Sequence, residues 1–394
     1  MRWPAIGTRE HPWTARPEGL AATSRRARRS IPATYHAAVV PMIAAVPVDL
    51  TGDLAADLDD AARLLTAFDA GGAGEVAPFA SILLRSESAA SSHIENLTSS
   101  ARALAEAAIG AGDRSNALTI LANVRTMQAA MELAGDLGEA SILAMHRALM
   151  TGRPGLHPGQ WRTEQVWVGG GGLHPGDAEF VPPVAADVPA LMADLVAFLV
   201  RDDVPPLALG AVAHAQFETI HPFADGNGRT GRALLHACLL NTGVISRVTV
   251  PISAGLLAAK GRYFGALTSY RAGDAEPILR CVADAARAGV AVGEQLVRRL
   301  RDVRAGWDGR VDARVDSVVW RIADVLLRQP VVTARLVTTE LQVSAPTAQA
   351  ALARLVAAGV LVESTGWKRN RVYRSPEVLE ALDGYAEGLG RRSR

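Results

Sequence analysis

Cysteine, net charge and long apolar runs are what this sequence lacks. Two cysteines in 394 residues build no disulfide scaffold. Cys238 and Cys281 both lie in apolar helical stretches, the setting of buried thiols, which fits a reducing cytosol. The formal charge is +1, so the chain as a whole offers no electrostatic argument for nucleic acid or an anionic membrane. No stretch approaches the roughly 18 uninterrupted apolar residues of a membrane-spanning helix. The opening Met1-Arg2-Trp3-Pro4 has no apolar signal core. The expectation is a cytoplasmic protein with no membrane partner. Its 49% hydrophobic and 21% charged residues are ordinary for a soluble chain, and its length suits two or three domains.

One polar stretch stands between two apolar ones. His221-Pro222-Phe223-Ala224-Asp225-Gly226-Asn227-Gly228-Arg229-Thr230-Gly231-Arg232 follows an apolar helix opened by Pro205-Pro206. It precedes a second apolar helix, which should stop at Asn241-Thr242-Gly243. Gly226 and Gly228 allow positive φ and close approach to a ligand. The loop feeds a helix N-terminus, where unpaired N–H groups and the dipole favour an anion. Arg229 and Arg232, three residues apart, can serve that same anion. Asp225 offers a hard oxygen of the kind Mg²⁺ shares with phosphates, and His221 has the side chain suited to proton abstraction near neutrality. These parts point to phosphoryl or nucleotidyl transfer from a Mg²⁺-bound nucleotide to a hydroxyl.

The stretch resembles the motif H-x-F-x-D/E-G-N-G-R-x-x-R of the Fic family, and it matches at every defined position. The resemblance implies AMP transfer from ATP to a Ser, Thr or Tyr hydroxyl of a protein target, which can be the protein itself. It implies His221 as general base and Asp225 as Mg²⁺ ligand. Asn227 and the backbone of Gly226 and Gly228 would hold the α- and β-phosphates, and Arg229 and Arg232 the β- and γ-phosphates. Upstream, Ser91-Ser92-His93-Ile94-Glu95-Asn96 resembles the family's inhibitory motif S/T-x-x-x-E-G/N. Ser91, Glu95 and Asn96 fit it, and the resemblance implies that Glu95 pairs with Arg232 in place of the γ-phosphate. Tyr263, in Gly261-Arg262-Tyr263-Phe264, stands beside the expected base site, as a base contact or as a buried structural tyrosine. Arg271 stands where relatives carry a smaller polar group.

Helical periodicity predicts helices near residues 50–68, 76–95, 115–134, 141–150, 187–200 and 277–304. Residues 159–168 are rich in β-formers and should pair with 179–183 as a hairpin, the position of the family's target-aligning flap. A composition break at Gly306-Trp307-Asp308-Gly309 is followed by three short helices and a hairpin around 366–370, which resembles a winged helix. Residues 311–394 hold 12 Lys/Arg against 9 Asp/Glu, a net of +3. DNA contact and protein docking both stay open for that region.

The expected architecture is mainly α: a 1–34 extension carrying a solvated Arg25–Arg29 cluster, a 35–110 region with the inhibitory helix, a 111–305 catalytic core with its β-hairpin flap, and a 311–394 winged helix. The expected function is protein adenylylation restrained by Glu95. Two rivals are a DNA-binding regulator whose Fic core senses a nucleotide, and a hydrolase that removes AMP.

Overall fold

The computed structural model describes residues 1–14, 31–71, 77–170, 174–364 and 371–392. The Arg25–Arg29 cluster and the tip residues Lys368 and Arg369 lie outside them. In chain order the elements begin with strands β1 (Gly7–Pro12) and β2 (Thr34–Val39). Helices follow: α1 (Gly52–Ala70), α2 (Ala77–Ile94), α3 (Ala101–Ala108), α4 (Ser115–Glu132), α5 (Glu139–Leu149), α6 (Val188–Leu199), α7 (Pro206–Ile220) and α8 (Asn227–Asn241). Next come α9 (Ile252–Ala258), α10 (Lys260–Arg271), α11 (Glu276–Asp308) and α12 (Val318–Arg328). Strand β3 (Val331–Thr333), α13 (Ala334–Leu341), α14 (Ala345–Ala357), β4 (Val362–Glu363), β5 (Val372–Arg374) and α15 (Pro376–Arg392) complete the order. The fold is mainly α.

The chain divides into two units, residues 1–59, 129–241 and 261–281 in one, and 60–128, 242–260 and 282–394 in the other. The first is centred on α7 and α8. Every α7 residue after Pro206 is buried, which is why its apolar residues surround the helix rather than forming a stripe, with His214, Gln216, Glu218 and Thr219 buried among them. Gly210 lets α8 approach closely, since a Cβ there would meet Leu235 Cδ1 at 2.8 Å. Both cysteines are buried and outside any disulfide, and burial pushes the Cys238 thiol up to about 12.

Two local readings change in this unit. The start of the chain is not wholly an extension: β1 pairs antiparallel with β2, Gly7 opposite Val39 and Pro12 opposite Thr34. Its residues are mostly exposed, so no apolar alternation marked it as a strand. Among the described residues the flap hairpin shows one antiparallel bridge, Val168 to Phe180, with N–H···O distances of 2.8 and 3.2 Å. It leans on β2 through Ala38 N–H to the Val181 carbonyl, 3.0 Å. Trp13 sits edge-on to Tyr35, Trp167 and His174, and that packing backs the flap.

In the second unit α2 packs against α9 and α12. Glu87 of α2 is fully buried and accepts from Ser253 N–H at 2.8 Å and from the Ser253 hydroxyl. It thereby satisfies a first-turn donor of α9. Asn123 donates to the Ser88 carbonyl at 2.9 Å, a second polar lock on α2. Helix α11 runs to Asp308, four residues past the expected end at 304, and stops inside the composition break at 306–309. Trp307 is buried there, and its indole N–H donates to Glu377 at 2.7 Å. Beyond it, α12, α13 and α14 pack together, and β3, β5 and β4 form one antiparallel sheet in that order. Arg354 of α14 donates to the Asp312 carbonyl, and Arg371 pairs with Glu363 at 3.4 Å.

Replacing Glu87 by Ala strands buried donors of α9, so Glu87→Ala should cost about 2–3 kcal/mol. Urea unfolding followed by circular dichroism measures it, and an unchanged midpoint contradicts the lock.

Candidate active site

Helix α7 ends because His221 takes the left-handed conformation, φ 52° and ψ 60°, while its N–H still reaches the Phe217 carbonyl at 2.9 Å. A non-glycine residue there costs of order 1–2 kcal/mol. What holds it is Arg162, which is 4% exposed. Its Nε donates to the His221 carbonyl at 2.8 Å, Nη1 to Glu164 at 3.0 Å, and Nη2 to Pro183 at 2.5 Å and Ile220 at 3.5 Å. Its own N–H donates to the Pro222 carbonyl at 2.9 Å. Burial pushes the Arg162 guanidinium down to about 10.

The His221 ring faces the Glu218 carbonyl through Nδ1, at 3.4 Å. With the proton on Nδ1, Nε2 keeps its lone pair. Burial, with Arg162 and Arg271 adding repulsion, pushes the imidazole down to about 4, so it is neutral near pH 7.

The loop after it is closed on itself. Asn227 Oδ1 accepts from Phe223 N–H and its Nδ2 donates to the Phe223 carbonyl, both at 2.8 Å. The amide is thus engaged at both ends, and Asn227 is 3% exposed. Asp225 Oδ1 accepts from Gly226 N–H at 2.6 Å and from Arg229 at 3.3 Å. Of the two loop glycines only Gly226 has positive φ, +79°; Gly228 is the second residue of α8. A Cβ on Gly226 would meet Met150 Cε at 2.4 Å, so the glycine serves packing against α5.

From α5 comes a residue the sequence reading passed over. His146 Nδ1 accepts from Gly159 N–H at 3.0 Å, and Nε2–H donates to the Asp225 carbonyl at 3.1 Å. Its ring stacks on Phe223, centroids 3.6 Å apart. Burial pushes it down to about 4. Arg162 was read only as part of a strand, and His146 only as part of an amphipathic helix. Nothing in one sequence separates a buried, loop-fixing side chain from its solvated counterparts.

Arg229 and Arg232 lie one turn apart in α8, 3% and 2% exposed. Tyr263 is 1% exposed, the placement of a structural tyrosine, and its hydroxyl is 2.8 Å from His214 Nε2. Burial raises its phenol, and Arg232 hydrogen-bonds to it. His214 is pushed down to about 3 by burial and by Arg232. Arg271 lies over the Phe180 ring at 3.8 Å, joining α10 to the flap bridge.

The Ser91–Asn96 segment belongs to the second unit. Ser91 is buried in the last turns of α2, and Glu95, half-buried, follows the helix end. Asn96 has φ 63°, and Leu97 N–H donates back to the Ser92 carbonyl at 3.1 Å. This is a left-handed helix cap, which explains why glycine or asparagine suits that position. Lys260 donates to Asn96 Oδ1 at 3.0 Å.

Among the described residues no three or more His, Cys, Asp or Glu side chains gather as a metal site. Asp225 stands alone, 43% exposed, with Oδ1 engaged and Oδ2 without a partner among the described residues. One such oxygen fits an ion that keeps most of its waters and shares phosphate oxygens.

The sequence profile of the Fic/DOC family matches residues 136–239, which span His146, Arg162 and the whole loop to Arg232. Residues 136–239 are a Fic domain. The protein adenylyltransferase fic-1 of Caenorhabditis briggsae is 31% identical over 152 residues, 38% of this chain and 27% of that protein. The protein adenylyltransferase Fic of Drosophila erecta is 32% identical over 146 residues, 36% of this chain and 26% of that protein. The chain thus spans about a quarter of the length of these curated relatives. A Fic family protein of Desulfovibrio desulfuricans G20 shares the fold, with a TM-score of 0.54 and 22% identity over 84% of this chain and 97% of that one.

Two outcomes follow from the Fic domain's geometry. Arg162→Ala leaves several carbonyls without their donor and should cost at least about 2 kcal/mol in urea unfolding. The second concerns pH. His146, His214 and His221 have folded values of about 4, 3 and 4 against 6.5 unfolded. The unfolded chain therefore binds protons first as pH falls below 6.5. Their share of stability is full above that value and is lost as pH drops toward 4. Unfolding free energy measured from pH 7.5 to 4.5 should decline, with a slope about one proton shallower in His214→Gln.

Proposed function

We propose that this chain is a protein adenylyltransferase that moves AMP from ATP to a Ser, Thr or Tyr hydroxyl of a protein target, with Glu95 as its restraint. The observation that carries the reading is the placement of His221, its Nδ1 3.4 Å from the Glu218 carbonyl, which favours the tautomer with Nε2 as acceptor. It stands beside a helix N-terminus that brings Arg229 and Arg232 with it. The names of the relatives support the same activity.

In this reading the target hydroxyl gives its proton to His221 Nε2 as its oxygen attacks the α-phosphorus. The bond from that phosphorus to the bridging oxygen breaks, and pyrophosphate leaves with the electron pair. The first-turn N–H groups of α8 receive the phosphates. Asn227 contributes by holding the loop closed, since its side-chain amide is already engaged. Asp225 Oδ2 would hold Mg²⁺, which when bound offsets charge on the phosphates. Tyr263 supports Arg232 rather than offering a face to the base. Residues 111–305 carry the catalysis. Residues 311–394 are a winged-helix module, whose α12 packs on α2. Glu95 restrains transfer by competing with the γ-phosphate for Arg232.

With α-labelled ATP and Mg²⁺, His221→Ala should abolish labelling while ATP binding stays within about twofold, because the base acts on the target and not on the nucleotide. Glu95→Gly should raise labelling by an order of magnitude or so. Adding Arg232→Ala to Glu95→Gly should return it to the parent level. Labelling by His221→Ala at the parent rate defeats the mechanism, and equal labelling by parent and Glu95→Gly defeats the restraint. The acid limb of the rate should fall near pH 4, the His221 value, rather than near 6.5.

A further inference from the structure

On the side of α2 that carries Ile82, Ser86, Ala89 and His93 lies a cavity of about 560 Å³. Its walls come from α2, α3, α4 and α15 and from the segment between α2 and α3, all within the second unit. It is partly open to solvent, and its volume lies in the range of small-molecule sites. Ile82, Ala89, Ala90, Leu104, Ile120 and Leu382 make most of it apolar.

Two cations, Arg85 and Arg328, stand near two carboxylates, Glu340 and Asp383, so the formal charges balance and the hydrogen bonds decide what is unmet. Arg328 pairs with Glu340. Asp383 accepts from Ala101 N–H at 2.8 Å, at the N-terminus of α3. Arg85 hydrogen-bonds to neither carboxylate among the described residues. Its Nη1 donates to the Arg328 carbonyl at 2.7 Å and to Gln329 Oε1 at 2.9 Å, both neutral. Among the described residues it has no carboxylate partner, and Nε and Nη2 hold no hydrogen bond. A guanidinium that keeps unmet donors beside apolar walls is costly. Burial and the neighbouring Arg328 hold its basicity below the ordinary range, with Glu340 opposing them. A second polar group waits in the same cavity. The Tyr385 hydroxyl is buried without a hydrogen-bond partner among the described residues, and burial keeps it protonated, so it can only gain by donating.

We propose that this cavity is a binding site for a small amphipathic anion, an apolar body carrying one carboxylate, with the carboxylate on Arg85 and Tyr385 and the body against Ile82, Ala89 and Leu104. The Nε and Nη2 donors of Arg85 suit the two oxygens of one carboxylate. The apolar walls reject a sugar or a free inorganic anion, which would lose its water there for nothing in return. The site is separate from the His221 loop and does not depend on the transferase reading.

The test is calorimetric titration of the full chain with decanoate, 1-naphthylacetate and the neutral decanol, each kept below self-association. At least one carboxylate should bind at one site per chain, and decanol about tenfold or more weakly. Which carboxylate is preferred tells an aliphatic from an aromatic occupant. Arg85→Gln should lower carboxylate affinity about tenfold while leaving decanol unchanged, and Tyr385→Phe should lower it less. Ala89→Trp should fill the cavity and abolish binding of all three, with the far-ultraviolet spectrum retained. Failure of both carboxylates to bind the parent overturns the proposal. So does equal binding of carboxylate and alcohol, or binding that survives both Arg85→Gln and Ala89→Trp.

Discussion

Arg162 is a charge held out of water, and the carbonyl oxygens of His221, Glu164, Pro183 and Ile220 around it are what allow that burial. Each of those oxygens belongs to a segment that would otherwise be free to choose its own course. One guanidinium therefore ties the helix end that carries His221 to the two chains of the flap. The left-handed backbone at His221 depends on this tie, and the direction of its ring depends on the backbone. His146 does the corresponding work on the far side of the loop, by bridging Gly159 to the Asp225 carbonyl.

The loop stood out in the sequence because its residues cannot be explained by packing alone. A histidine, a carboxylate, glycines around an asparagine and two arginines in one turn narrow the choices sharply. The helices were legible from their periodicity, and α1, α2 and α6 begin or end within two residues of expectation. The strand β1 was not legible, because its exposed residues carry no alternation, and its pairing with β2 is long-range. The glycine argument was half right. Gly226 is needed for its positive φ and for the room it gives Met150, whereas Gly228 is simply helical. Arg162 and His146 are invisible from sequence because buried polar residues are defined by partners far along the chain.

Helix α2 shows how one element carries several obligations. Its buried Glu87 satisfies α9, its Ser88 carbonyl takes Asn123, and its Arg85 reaches the end of α12. Its C-terminus, closed by Asn96 in the left-handed region, fixes where Glu95 emerges. Apolar periodicity accounts for Phe79, Ile82 and Leu83, but the polar locks decide the register in which that helix sits.

Holding His146, His214 and His221 neutral makes the unfolded chain a stronger base than the folded one. Between pH 4 and 6.5, unfolding draws protons from the buffer, so the heat absorbed includes the buffer's own ionisation. Scans in acetate and in a histidine-like amine buffer at one pH would then give different apparent enthalpies for the same transition. Their difference, divided by the difference in buffer ionisation heats, counts the protons that the native interior keeps out.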